Sequence, residues 1–418
     1  MKILQYLTGL LIHMGVATMC AIDINATIAD AYQHLIDNQY DQALALYEQA
    51  YHVEPTNGQL LCNLGFIFKK KNMMREAIDM YEKARPYISS KAKIERALSG
   101  AYLALGDFER GWLAYEYRWQ EPPYYNQDLK RHLKNGGSLQ NKILLIKTEY
   151  GLGDTLQFIR YARELKNKGA YIIVESQKPL MPLLNLCPYI DKIIPEGQPE
   201  GSHFTILLMS LPLIFETKIE SIPHGTPYLF ANQKLVKKWK DNVSQNKKIR
   251  IGICWQADIH KNAHDEIVKL DSMAKSIPLN CLAQLSELPN VTLYSLQKIN
   301  GLEQLKTLPA HYKVHHFEHM DQEHGPFMDT AAIIMNMDLV ITIDTSIAHL
   351  AGGLGKPVWL LLPYAADWRW MLNRDDSPWY PNMRLFRQQH PGMWQNTIDE
   401  IKPLLLNKTV LNAHKGAL

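Results

Sequence analysis

Residues 148–158, TEYGLGDTLQF, follow a β-rich run and place two glycines, Gly151 and Gly153, directly before a helical pattern. Glycines there allow a tight turn and close backbone approach, and a helix start favours an anion or a polar substrate. Asp154 stands at that start. A carboxylate in this position serves either as the cap of its own helix or as a general base, and the residues alone leave both open. The stretch is not a dinucleotide fingerprint, because Leu156 takes the place of the third glycine.

A second stretch, 341–362, runs from a strand into Asp344, Thr345 and Ser346, then through a helix bearing His349 to a second strand. Free amides at that helix start, with two hydroxyls beside them, suit an oxyanion or a diphosphate. The alternative is an Asp-Thr-Ser cap above a buried structural histidine. The third is CWQAD at 254–258 with AKSIPL at 274–279. It puts Trp255 and Gln256 at a strand's C-terminal end, where parallel sheets bind ligands, and Lys275 just before a helix. Lys275 either neutralises a phosphate or is simply solvated. The fourth, 364–388, concentrates three tryptophans and four arginines, which suits sugar or phosphate recognition or packing between domains.

The elements that must position these residues are read from the pattern around them. Buried-strand runs at 142–147, 170–175 and 204–211 alternate with a helical segment at 155–168. After a polar break at 233–248 the alternation restarts, with strands at 249–255, 291–296, 338–343 and 358–362 and helices at 279–288, 329–335 and 346–354. Such alternation predicts two parallel sheets covered by helices, an α/β arrangement of twin Rossmann-like halves with a cleft between them. Upstream, Ala43, Tyr47 and Ala50 recur 34 positions on as Ala77, Tyr81 and Ala84. A weaker third unit carries Tyr102, Gly106-Asp107 and Tyr115 in phase. These positions resemble a tetratricopeptide array, an α-helical module too short to stand free and therefore expected to pack on the α/β halves downstream of it. The expected divisions are an apolar N-terminal segment at 1–24, repeats at 25–121, an acceptor-side half at 138–232 and a nucleotide-sugar half at 247–406.

Composition narrows the function classes. Lys and Arg total 45 against 42 Asp and Glu, so the charge gives no reason to expect a nucleic-acid partner. Clusters at 69–71 and 237–250 read as a solvated helix end and a charged linker. Five scattered cysteines, never in a CxxC pair, form neither a disulfide framework nor a zinc site. The first twenty residues have the apolar run of an export signal without its small-x-small cleavage pattern. The expectation is a cytoplasmic protein, or one peripheral to an inner membrane, with export by that segment the less favoured alternative.

These motifs, in this order, resemble glycosyltransferase family 9, which includes the ADP-heptose:lipopolysaccharide heptosyltransferases, and especially its members with tetratricopeptide repeats in front. The resemblance implies the two-Rossmann (GT-B) fold and an inverting, metal-independent transfer with no cofactor beyond the nucleotide-diphosphate sugar. By match to the GLGD loop it makes Asp154 the general base. Lys275 becomes the partner of the diphosphate leaving group, and Asp344, Thr345, Ser346 and His349, with Trp255 and Gln256, the donor site. Gly151 and Gly153 shape the acceptor-side loop. Ser346 departs from the glycine usual there, and the second half lacks the usual glycine after its first strand, so donor identity stays open. The acceptor is a glycan or a protein, with a further protein partner possible through the repeats. The rival reading is a non-catalytic scaffold that keeps the cleft. An NAD-dependent oxidoreductase is weak without the complete glycine fingerprint.

Overall fold

The computed structural model describes residues 23–119, 125–243, 246–258 and 272–407. Nearly all of the apolar N-terminal segment, with Cys20, and the prolines Pro122 and Pro123 lie outside them. The described residues open with three helical hairpins: α1 (Ile24–Ile36) and α2 (Tyr40–Val53), α3 (Gly58–Lys70) and α4 (Met74–Ala84), α5 (Lys91–Ala104) and α6 (Phe108–Tyr115). Each recurring position has a packing reason. Ala43, Tyr47 and Ala50 on α2 are buried, as are Ala77, Tyr81 and Ala84 on α4. A methyl group on Gly65 would stand 2.6 Å from the Tyr81 ring, so the small residue makes room for the aromatic one. Tyr32, by contrast, is largely exposed. Helix α7 (Tyr125–Lys134) leads to the first sheet.

That sheet holds β1 (Ile143–Lys147), β2 (Tyr171–Ser176), β3 (Lys192–Pro195) and β4 (Phe204–Leu207) in the order β3-β2-β1-β4, all parallel. The second holds β5 (Ile249–Cys254), β6 (Val291–Ser295), β7 (Val314–His315), β8 (Leu339–Ile343), β9 (Val358–Leu362) and β10 (Met383–Arg387). Its order is β10-β9-β8-β5-β6-β7, again parallel throughout. Every residue of β6, β8 and β9 is buried, the signature of strands covered on both faces. The fold is thus α/β, two doubly wound Rossmann-like sheets behind an α-helical module. Strand order reverses between β1 and β4 and between β5 and β8, and ligands bind such folds at the strand ends beside those points.

One strand is shorter than its apolar run suggested, and one helix is longer at its start and divided. The run at 204–211 leaves the sheet at Leu207, because Pro212 sits in the first turn of the helix Leu211–Ile214. The helix expected over 155–168 begins earlier and divides at Ile159 into α8 (Leu152–Phe158) and α9 (Arg160–Asn167).

The halves meet where α8 packs on the helix Ser346–Gly353. Tyr228 and Leu229 both donate backbone hydrogen bonds to the Gly353 carbonyl, at 2.9 and 3.0 Å. Added methyls on Gly352 and Gly353 would lie 2.5 Å from Tyr380 and 2.6 Å from Leu229, so only glycine permits this approach. Arg160 fastens the joint. Wholly buried, it donates to the carbonyls of Gln157, Pro223 and Trp379 and to the Tyr228 hydroxyl, while Tyr228, Tyr380 and Trp379 face its guanidinium. The helical module joins the same core: Phe108 and Trp112 pack with Phe158 and Trp379, and the Trp112 indole donates to the Thr217 carbonyl at 3.1 Å. Replacing Arg160 with leucine leaves those acceptors without donors. It should destabilise the protein by about 2–4 kcal/mol, read as a fall in thermal midpoint by circular dichroism.

Candidate active site

The loop after β1 carries the first half's chemistry. Asp154 sits in the first turn of α8, and its Oδ2 accepts the Gly151 backbone N–H at 2.9 Å. Its Oδ1 turns across the cleft to the Arg369 guanidinium of the second half. One oxygen thus closes its own helix, and the other faces the opposite half. Its side chain is only 22% exposed. Burial raises the carboxyl above the usual range; Arg369 and the Gly151 amide oppose this, and Asp367 and Asp344 add to it.

On the facing half, β8 ends at Ile343 and the next residue, Asp344, holds Lys275, Nζ to Oδ2 3.0 Å. Asp344 is the main reason the Lys275 ammonium is raised well above its usual value. Thr345 caps the following helix, its hydroxyl accepting the Ile347 N–H at 3.4 Å. His349 lies buried on that helix with Nδ1 2.7 Å from the Tyr380 hydroxyl and its ring stacked on Trp370. Burial, the chief cause, pushes its imidazole down to about 3, so it is neutral at physiological pH. A methyl group on Gly153 would come within 3.0 Å of the His349 ring and 3.6 Å of the Ser346 Cα, so that glycine sets how closely the two halves approach.

The pieces of the third motif also come together. Ile277 donates its N–H to the Trp255 carbonyl at 2.9 Å, and Ala257 to the Ser276 hydroxyl at 3.1 Å, which ties the Lys275 segment to the end of β5. Trp255 itself is wholly buried. Gln256 is held by amides, its N–H donating to Gln297 Oε1 at 3.0 Å and its Oε1 accepting from Gln304 Nε2 at 2.7 Å. Lys275, Asp367 and Trp368 line a cleft of about 490 Å³ whose other wall includes Tyr40 and Lys69 of the helical module.

Two groups of residues had no role assigned from sequence. Arg369 bridges Asp154 to Asp367, 2.9 Å from the latter, and also donates to Gln157 Oε1 at 2.7 Å. Burial raises the Asp367 carboxyl, but Arg369 and then Lys275 outweigh it and hold it low. Charges therefore alternate across the cleft through Asp154, Arg369, Asp367, Lys275 and Asp344. Behind the glycine loop, Arg118 at the end of the helical module grips Glu149 at 2.9 and 3.1 Å. The same guanidinium reaches Glu116 at 2.8 Å and Ser210 at 2.7 Å, all four side chains being buried. A D-W-R triplet and a paired E-Y-R were the visible signals, but neither names a partner. In the fourth motif Trp370 and Trp379 are fully buried, which makes them packing residues between halves and module, whereas the partly buried Trp368 packs on that core and also lines the cleft.

Among solved structures, the glycosyl transferase family 9 protein of Veillonella parvula DSM 2008 aligns over 66% of this chain and 98% of its own, at 11% identity and a TM-score of 0.46. Escherichia coli ADP-heptose lps heptosyltransferase II aligns over 65% and 98%, at 15% identity and a TM-score of 0.42. Among curated proteins, Protein FlbA of Caulobacter vibrioides (strain ATCC 19089 / CIP 103742 / CB 15) is 24% identical over 349 residues, 75% of this chain and 55% of FlbA. The chain thus spans about half the length of that relative. No family model matches the chain.

Gly153→Ala tests the closeness of the halves. The added methyl should push on His349 and lower stability by about 1–3 kcal/mol, measured by thermal denaturation.

Proposed function

We propose that the chain is a glycosyltransferase that moves a sugar from a nucleoside-diphosphate donor to an acceptor hydroxyl, with inversion and without a metal ion. The observation that carries this reading is the run of opposite charges that starts at the Asp154 carboxylate on one half, passes through Arg369 and Asp367, and ends at Lys275, held by Asp344 just before the Ser346–Gly353 helix start on the other. Asp154 takes the acceptor's hydroxyl proton as the acceptor oxygen attacks the anomeric carbon. The bond from that carbon to the diphosphate oxygen breaks, and the electron pair leaves with the diphosphate. Lys275 and the Ser346 amide at the helix start offset the charge that develops there. His349, neutral and buried, shapes the site and takes no proton at physiological pH. In this reading Trp255 and Gln256 stand on the donor side and Gly151 and Gly153 on the acceptor side. The three hairpins act as tetratricopeptide repeats that offer a surface for a protein partner, and the acceptor hydroxyl belongs to a glycan or a protein. Among the described residues no helix is long and apolar enough to cross a membrane. Action in the cytoplasm on a nucleotide sugar is part of the proposal.

One observation favours a second reading, a binding scaffold without turnover. Asp154 is held by Arg369 and Lys275 by Asp344, so both charged groups already have partners. A thermal-shift titration with ADP, GDP, UDP and CDP separates the two. The transferase reading expects a rise in thermal midpoint with one of them, diminished in Lys275→Ala, and no response to any diphosphate would favour the scaffold.

Asp154→Asn should abolish transfer while leaving diphosphate affinity within about twofold, since binding and proton removal use different halves. Transfer needs the ionised carboxylate, so its rate should fall as pH drops through the Asp154 pKa, which lies above the ordinary carboxylate range. Arg369 lowers that pKa. Arg369→Gln should therefore move the acid limb of the pH–rate profile to higher pH, and an unmoved limb would remove Asp154 from the role.

A further inference from the structure

Two tryptophans of the fourth motif, Trp370 and Trp379, are committed to packing, yet the molecule does present two aromatic faces to solvent on the loop that leads to Asp154. Trp119 and Tyr150 are 42% and 56% exposed, their ring centroids lie 6.1 Å apart, and their planes differ by 23°. Large rings left in water side by side cost hydration free energy unless something covers them.

Both rings are anchored from below to the same buried pair. The Trp119 indole N–H donates to Glu149 Oε1 at 2.9 Å, and the Tyr150 hydroxyl donates to the Arg118 carbonyl at 3.3 Å. Glu149 is fixed in turn by Arg118 and by the Met209 amide at 3.1 Å. Tyr150 also holds a positive φ of 55°, a conformation that glycine adopts freely and a side chain resists. Gln177 Nε2 donates to the Tyr150 carbonyl at 3.4 Å and helps fix it. The loop thus carries an aromatic residue at a position better suited to glycine, and it points the ring outward. The next residue is Gly151, whose N–H is bound by Asp154. The Asp154 carboxylate thus holds the peptide unit that joins Tyr150 to Gly151.

We propose that Trp119 and Tyr150 form the acceptor subsite and that its occupant is a pyranose ring. The inference rests on the transferase reading for the role of Asp154. A pyranose has an apolar face of C–H groups and a rim of hydroxyls. The C–H face covers the two rings, whose π electrons attract it, and a rim hydroxyl reaches the neighbouring Asp154. A serine or threonine hydroxyl on a peptide has no flat apolar face to lay on this platform. Trp119 follows the last hairpin of the helical module, so the module supplies half of the subsite. The acceptor contact is incomplete without it.

Saturation-transfer NMR on the full chain tests this with defined probes. The probes are methyl α-D-glucopyranoside, methyl α-D-mannopyranoside, methyl N-acetyl-β-D-glucosaminide and the peptide acetyl-Gly-Ser-Gly-amide. At least one glycoside should receive saturation at the ring C–H protons of a single face. Tyr150→Ala and Trp119→Ala should each weaken its binding about five- to tenfold, and Tyr150→Phe, which keeps the ring, should retain it. The proposal is overturned if no glycoside is saturated, if both alanine variants bind the glycoside as the parent does, or if only the peptide is saturated. Circular dichroism and the diphosphate thermal shift on Tyr150→Ala show that fold and donor site are intact. Glycoside stacking with no response to any diphosphate would sink the transferase reading and leave the platform standing. A diphosphate response with no glycoside contact would do the reverse.

Discussion

A guanidinium held entirely out of water sets the geometry of the cleft. Taking an arginine from water costs several kcal/mol unless its donors are met, and the donors of Arg160 are met by carbonyls and a phenol, with aromatic rings over its faces. Those groups come from different places: Pro223 and Tyr228 follow the first sheet, and Trp379 precedes β10 of the second. They surround Arg160 only when the two halves close to one separation. Arg160 begins α9, directly after the helix that bears Asp154. Satisfying the buried arginine therefore also fixes how far Asp154 stands from the charges opposite it.

The helical module belongs to this arrangement and is no appendage. Its last hairpin places Trp112 in the core shared by both halves and ends in Arg118, which holds Glu149 from behind the glycine loop. A buried glutamate with no partner would be strongly disfavoured, so the loop that positions Asp154 needs the module for its own electrostatic balance. Asn72, in the turn before α4, donates to the Tyr364 carbonyl at 2.7 Å and ties an earlier repeat to the second half as well.

Much of this frame is legible in the residues. Apolar runs bounded by glycine and proline mark the strands, and alanine and tyrosine at a fixed spacing mark the hairpins, because burial on a regular element imposes a period. The loop after β1 and the helix start after β8 are legible for the same reason: each is a local pattern of strand, turn and cap. What is not legible is which charge meets which. Arg369 and Asp154 are 215 residues apart, and Arg118 and Glu149 are 31 apart. A lone arginine in a sequence reads as solvated until the tertiary fold removes its water. The same limit explains the tryptophans, since density of aromatic residues does not tell a platform from a core. Burial decides it, and Trp370 and Trp379 are buried while Trp119 is not.

The alternation of charge across the cleft makes anion uptake an exchange of partners. Lys275 and Arg369 each already hold a carboxylate, so a ligand gains only the difference between its own contacts and those it displaces. An anion with a single contact to offer gains least from such an exchange, and one that reaches both cations and brings further contacts gains most, while each displaced carboxylate stays tethered beside the cation it leaves.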